Sequence, residues 1–369
     1  MNISYDSFDK LKWYGRYLDN NQIRYFDYSA SGFEFCFTGK KAAATILSDP
    51  EAWNDANKGV IGVFVKEIKD KAEYKGLSYW DNFSEEEPLR FTLLKNENLC
   101  TLFESAEEKT VVIKVLKISE AAFGYAGLKT LEIDGTLNEK SAETNNAVKI
   151  EIIGDSITCG YGIDGVWEKD TFTTQQERAD KAYGFLTAKA LKAEFQQCSW
   201  SGIGIISNYV DPATATLPYT QWLMPANWPY TDKSLSLRLG LEPEVWDESR
   251  FSPDIVIIHL GTNDASWVQK NEDRRVSYVS GLRQLIEAVH RRSPKAKICC
   301  CLGVMGQELC DSVSEAVELF KKDFPYVTAK AVKFPVQKEE NGIAADWHPS
   351  AKTHKLVAEQ LCNELKELL

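Results

Sequence analysis

The chain of 369 residues carries 43 Lys and Arg against 54 Asp and Glu, a net charge of −11. That length predicts about two domains, and the acidic balance argues against gripping nucleic acid or an anionic membrane surface, which need clustered basic residues. No window reaches the ~18 consecutive apolar residues of a membrane span, and Met1–Asp6 lacks the basic and apolar regions of a signal peptide. The expectation is therefore a cytoplasmic protein, or a secreted one if a leader has been removed. Nine cysteines cannot all pair within the chain, and no Cys-x-x-Cys occurs to suggest a zinc ribbon or a thioredoxin-like site. The Cys299-Cys300-Cys301 run lies in an apolar stretch and reads as strand core, a usage that fits a reducing compartment.

The first ~145 residues read as β. Gly32–Gly39, Gly59–Val65, Leu89–Leu94 and Thr110–Leu116 are short, rich in β-branched and aromatic residues, and bounded by turn residues. Phe33, Phe35 and Phe37 alternate with Glu34 and Cys36, the period of a strand with one buried face. Many such strands predict a β-sandwich domain over residues 1–145, and the polar, turn-rich stretch Asp134–Asn145 reads as the linker. From about residue 147 strands and helices alternate. Strands are expected at Val148–Ile153, Ala193–Trp200, Asp254–Leu260, Lys297–Val304 and Val327–Phe334. Helices are expected at Lys181–Lys192, Glu272–Arg292, Leu309–Asp323 and Lys352–Leu368. Continuous apolar strands alternating with helices predict an α/β domain over 146–369, with a central parallel sheet covered on both faces. Residues 205–252 are rich in Pro and Trp with little periodicity, and a loop that long, with those aromatics, reads as functional.

In an open parallel sheet, ligands bind at the carboxyl ends of the strands. Three such ends carry polar clusters here, Gly154-Asp155-Ser156-Ile157-Thr158, Ser201-Gly202-Ile203-Gly204 and Gly261-Thr262-Asn263-Asp264. A fourth cluster, Asp346-Trp347-His348-Pro349, precedes the last helix. A serine at a strand-to-helix turn presents its hydroxyl above the sheet, a histidine serves as its base, and a carboxylate orients that histidine. The N–H groups of Ser156 and Gly202 with the Asn263 amide make an oxyanion hole. His259, His290 and His354 sit in an apolar strand, a basic helix end and the last helix, which leaves His348 as the base. Asp155 and Asp264 read as hydrogen-bonding turn residues. The Gly-x-Gly-x-x-Ser at 202–207 has no Walker lysine and no acidic residue at dinucleotide-site spacing, so a nucleotide loop is rejected.

These four blocks, in this order, resemble the SGNH (GDSL-type) hydrolase superfamily, named for a Ser, Gly, Asn and His that match Ser156, Gly202, Asn263 and His348. The Gly-Phe-Glu-Phe-x-Phe-x-Gly strand ahead of them makes nearly the whole chain resemble carbohydrate esterase family 2. That resemblance implies a jelly-roll domain joined to a flavodoxin-like three-layer α/β/α hydrolase domain. It also implies removal of O-acetyl groups from plant polysaccharides such as acetylated xylan or glucomannan, through an acyl-enzyme on Ser156 and without a metal or organic cofactor. The wider superfamily places an Asp three residues before its His, where this chain has Ala345. Asp346, two before, is the expected orienting acid, with a main-chain carbonyl as the alternative.

Ten tryptophans against three methionines suggest stacking platforms for sugar rings. Trp222, Trp228, Trp267 and Trp347 are the candidates for substrate contact, and the segments 163–179 and 205–267 for substrate breadth. The expected partner is an acetylated oligosaccharide or polysaccharide, with no nucleic acid and no membrane, and a homo-oligomer is left open. Two rivals remain: a lipid or thioester hydrolase on the same scaffold, and a catalytically idle carbohydrate-binding protein.

Overall fold

The structure, a computed structural model, describes residues 1–49, 56–81, 83, 86–138 and 147–369. The chain divides into two compact units, Met1–Ala147 with Thr173–Gln175, and Val148–Phe172 with Gln176–Leu369. The expected linker falls on Asp134–Asn145, of which residues 139–145 lie outside the described residues, as does the expected boundary at 145/146.

Among the described residues, the first unit forms a ten-stranded antiparallel sheet. Its spine is two long strands, Gly32–Leu47 and Glu97–Lys117, paired along most of their length. Bulges at Gly39/Lys41 and Ala42/Ala43 let the first of these bend. The Asp134 carboxylate stabilises the bend by accepting the Lys40 and Lys41 N–H groups at 2.8 and 2.9 Å. Phe33, Phe35 and Phe37 enter one large apolar core with Leu11, Phe26, Ile113 and Leu131. The expectation of one buried face is corrected, because Glu34 and Cys36 are fully buried as well. A short helix, Lys71–Gly76, capped by Asp70, brings Tyr74 onto that second face. Glu34 pays for its burial with partners: Lys114 Nζ at 3.0 Å and the hydroxyls of Tyr14 and Tyr74 at 2.9 and 3.0 Å. The Lys114 ammonium also lies over the Tyr79 and Phe83 rings, at 3.8 and 4.1 Å from their centroids.

The second unit is built on a five-stranded parallel sheet, in the order Glu194–Ser199, Lys149–Gly154, Ile255–His259, Lys297–Val304, Ala329–Val336. The central strand Ile255–His259 is buried at every position, as the continuous apolar run requires of a sheet covered on both faces. Helices Glu272–Arg292 and Cys310–Asp323 pack on one another, and so do Tyr183–Leu191 and Ala351–Lys366. Asn271 caps the longest helix through Arg274 N–H, and His290, Arg291 and Arg292 close it at the negative end of its dipole. All nine cysteines are buried, and Cys299–Cys301 form the middle of a strand. Residues 205–252 carry two short helices, Met224–Asn227 and Lys233–Arg238, and the isolated bridges Asn208↔Tyr219 and Tyr230↔Val245. Among the described residues no helix is long and apolar enough to cross a membrane.

Candidate active site

Strand register brings three of the polar clusters together. Gly154 is aligned with Ser199 on one side and His259 on the other. Their strands are neighbours about 4.8 Å apart, so Ser156, Gly202 and Asn263 leave the same sheet edge on adjacent segments. The strand carrying Gly154 is also where the order reverses, the switch point at which open parallel sheets hold ligands.

The turn under Ser156 follows from its sequence. Asp155 is the N-cap of the one-turn helix Ser156–Cys159 and its carboxylate accepts the Ile157 N–H at 3.0 Å. Ser156 therefore does not cap the turn, and its hydroxyl is left for another partner. Glycine is required at 154, because a Cβ there would lie 2.0 Å from Thr158 Oγ1. The second cluster is shaped by Gly202, whose φ of +74° strains any L side chain and where no atom lies within 4 Å of a Cβ position. Among the described residues neither the Ser156 nor the Gly202 N–H has a hydrogen-bond partner.

The third cluster holds the second in place. Asn263 donates one amide hydrogen to the Ile203 carbonyl at 2.8 Å and keeps the other. Asp264, fully buried, accepts the N–H groups of Ile205, Ile206 and Ser207 at 3.0, 2.7 and 3.1 Å. Burial raises its carboxyl to about 6 against the pull of those donors, and raises Asp155 to about 7 with Asp264 adding repulsion. Both behave as the sequence suggests, as carboxylates that organise turns.

His348 arrives from the far end of the chain. Pro349 keeps the preceding residue out of the helical region, and His348 has ψ 162°. The loop is tied by Ala344 N–H to the His348 carbonyl (2.9 Å), by Gln337 Nε2 to the Trp347 carbonyl (2.7 Å), and by Ser350 Oγ to the Asn341 carbonyl (2.7 Å). His348 Nε2 then sits 2.9 Å from Ser156 Oγ. Its Nδ1 faces the main-chain carbonyl of Asp346 at 3.1 Å. A carbonyl only accepts, so Nδ1 carries the proton and Nε2 is bare toward the serine hydroxyl. Burial pushes the imidazole down to about 4, opposed by the Asp346 carbonyl and carboxylate and the Ala345 carbonyl.

This corrects the expectation that the Asp346 carboxylate orients His348. Asp346 is in the left-handed conformation, φ 48° and ψ 42°, inside a tight turn. That turn aims its carbonyl at Nδ1 and its carboxylate away, where Oδ2 accepts the Tyr161 hydroxyl at 2.8 Å.

The tryptophan expectations divide. Trp347 is 40% exposed and meets Trp167, 37% exposed, edge to face at 5.5 Å. Trp222 is partly exposed, with Lys233 Nζ 5.9 Å from its ring centroid. Trp228 is corrected to a core residue: it is fully buried and its Nε1 donates to Glu151 Oε1 at 3.3 Å. Trp267 is corrected likewise, being nearly buried with the Arg274 guanidinium 3.5 Å above its ring. No motif or period in the sequence marks Tyr161, Phe172 or Trp167, although Tyr161 lies between two glycines of positive φ just past the Ser156 turn.

Residues 152–356, more than half of the chain, match the GDSL-like Lipase/Acylhydrolase family. The chain belongs to that family. Its membership is consistent with a serine and a histidine meeting above the parallel sheet. Among curated relatives, the cellulase/esterase CelE of Acetivibrio thermocellus is 38% identical over 226 residues, covering 60% of this chain and 26% of CelE. An acetylxylan esterase / glucomannan deacetylase of Cellvibrio japonicus is 27% identical over 257 residues, 70% of this chain and 67% of the relative. The first alignment thus spans about a quarter of the relative's length. A solved structure of a family two carbohydrate esterase from Clostridium thermocellum, in complex with cellohexaose, superposes with a TM-score of 0.79 and 28% identity, over 97% of this chain and 98% of that one.

Proposed function

We propose that this chain is a serine carbohydrate esterase that removes O-acetyl groups from oligosaccharides or polysaccharides of the xylan and glucomannan class. The observation that carries the reading is the placement of His348, with Nδ1 3.1 Å from a main-chain carbonyl and Nε2 2.9 Å from the Ser156 hydroxyl; the carbonyl favours the proton on Nδ1 and leaves Nε2 as the base. The relatives named acetylxylan esterase / glucomannan deacetylase, and the esterase complex with cellohexaose, support the substrate class. The proposed domains are a jelly-roll β-sandwich over 1–145 and a flavodoxin-like three-layer hydrolase domain over 146–369. The strand order of the parallel sheet supports the second assignment.

In this reading Ser156 Oγ attacks the acetyl carbonyl while His348 Nε2 takes its proton. The Ser156 and Gly202 N–H groups and the second Asn263 amide hydrogen receive the oxyanion, where they stabilise charge that develops only in the transition state. His348 returns the proton to the departing sugar hydroxyl, then activates the water that releases acetate. Trp347, with Trp167 beside it, and Trp222 present aromatic surface to the sugar. The test is acetate release from acetylated xylo-, manno- and gluco-oligosaccharides, run beside octanoate and acyl-thioester substrates. Faster turnover of the octanoate or thioester would overturn the reading in favour of a lipid or thioester hydrolase, and no turnover of any ester in favour of an idle binding protein.

A further inference from the structure

Nδ1 of the base meets a main-chain carbonyl and no carboxylate, so what packs against the face of the imidazole bears on its orientation and on the charge it gains. The Tyr161 ring lies against the His348 ring, with centroids 4.2 Å apart and planes inclined by 32°. On the other side Tyr161 stacks on Phe172 at 3.7 Å and 10°. Its hydroxyl donates to the Asp346 carboxylate at 2.8 Å. The three rings form a stack, and Asp346, the acid nearest His348 in sequence, is tied through its carboxylate to the middle member rather than to Nδ1.

We propose that Tyr161 is the positioning residue for His348, and that the Asp346 carboxylate acts by latching Tyr161 rather than by orienting the imidazole. The inference rests on the Ser156–His348 reading above. Two physical effects follow. The latch ties the His348 loop to the segment that follows the Ser156 turn, so the Nε2 to Oγ separation is held by a side-chain bridge as well as by backbone. The tyrosine face also lies under the ring that becomes imidazolium during attack, and an aromatic face attracts a cation placed over it. A main-chain carbonyl offers Nδ1 only a dipole, so this second contribution matters more here than in a site with a buried acid.

The experiment is a set of variants assayed for kcat and KM on an acetyl ester, with thermal unfolding as the folding control. Tyr161→Phe keeps the stack and removes the latch, and should lower kcat about tenfold with KM little changed. Asp346→Ala removes the same hydrogen bond from the other side and should cost a similar factor. The double variant should cost no more than either single one, because both delete one interaction. Asp346→Asn should stay within about threefold of wild type, since its amide oxygen still accepts the phenol hydrogen. Tyr161→Leu, which loses ring and latch, should fall below Tyr161→Phe. A loss of a hundredfold or more in Asp346→Asn, with Tyr161→Phe near wild type, would show the carboxylate acting directly on the imidazole and overturn the proposal. Independent, multiplying losses in the double variant would overturn it too. Ser156→Ala separates the two readings: activity surviving in it removes the Ser156–His348 chemistry itself, whereas its loss beside a fully active Tyr161→Phe removes only the latch.

Discussion

His348 Nε2 lies 2.9 Å from the Oγ of Ser156, a residue 192 positions earlier in the chain. The contact joins the end of the first parallel strand to the loop before the last helix. Because Asp155 rather than Ser156 caps the turn, Ser156→Ala removes the proposed nucleophile and leaves the cap intact. We expect ester turnover to vanish while the unfolding midpoint moves little. A serine-directed sulfonyl fluoride should label wild type once and the variant not at all. Measurable acetyl ester turnover in the variant would falsify the assignment.

The acid limb of the rate profile should lie lower than a free imidazole predicts. Unperturbed histidine titrates near 6.5, so a solvent-exposed base would lose activity from about pH 7 downward. Burial moves His348 down to about 4. The neutral form that the proposed mechanism requires therefore persists as pH falls from 6.5 toward 4, and kcat/KM should hold across that interval before declining. A profile of kcat/KM from pH 3.5 to 8 checks this, and an inflection near 6.5 would contradict it.

Asn263→Ala should lower kcat by about 10²–10³, the usual loss for one oxyanion donor, with KM nearly unchanged. The side chain also ties the Ile203 carbonyl, so a modest loss of stability should accompany it. The split between kcat and KM distinguishes a donor to the oxyanion from a merely structural amide. A KM effect alone would remove Asn263 from the site.

Trp228 and Trp347 should respond in opposite ways. Trp228 is wholly interior, so Trp228→Ala should cost about 3–5 kcal/mol of stability through the cavity it leaves. Trp347 is 40% exposed on the loop that carries His348, and its replacement by Ala should leave the unfolding midpoint nearly constant. It should raise KM for an acetylated oligosaccharide more than for a small aryl acetate, which has no sugar ring to stack. Equal effects on both substrates would place Trp347 outside the sugar site.

Local patterning made much of the second unit legible. The helix Glu272–Arg292 and the strand Lys297–Val304 have the bounds that periodicity and end signals suggest, because apolar spacing, an Asn cap and a basic C-terminus all agree within one segment. The four polar blocks were readable for a related reason: in a parallel α/β sheet, a short polar cluster after an apolar strand must emerge at the carboxyl edge. What depended on partners far away in sequence was not readable. Glu34 looked like the solvent side of a strand until Lys114, paired to it across the sheet, and Tyr74 from a following helix enclosed it. Trp228 looked like a platform until Glu151, 77 residues earlier, took its indole N–H in the core. Asp346 looked like the orienting acid because two residues is a short reach. Its left-handed turn instead sends the carbonyl to His348 and the carboxylate to Tyr161, 185 residues away. Composition and spacing thus determined which chemical groups the chain owns and which strand ends carry them. The tertiary structure alone decided which way each group points, because direction is set by backbone dihedrals and by contacts between segments that no local period records.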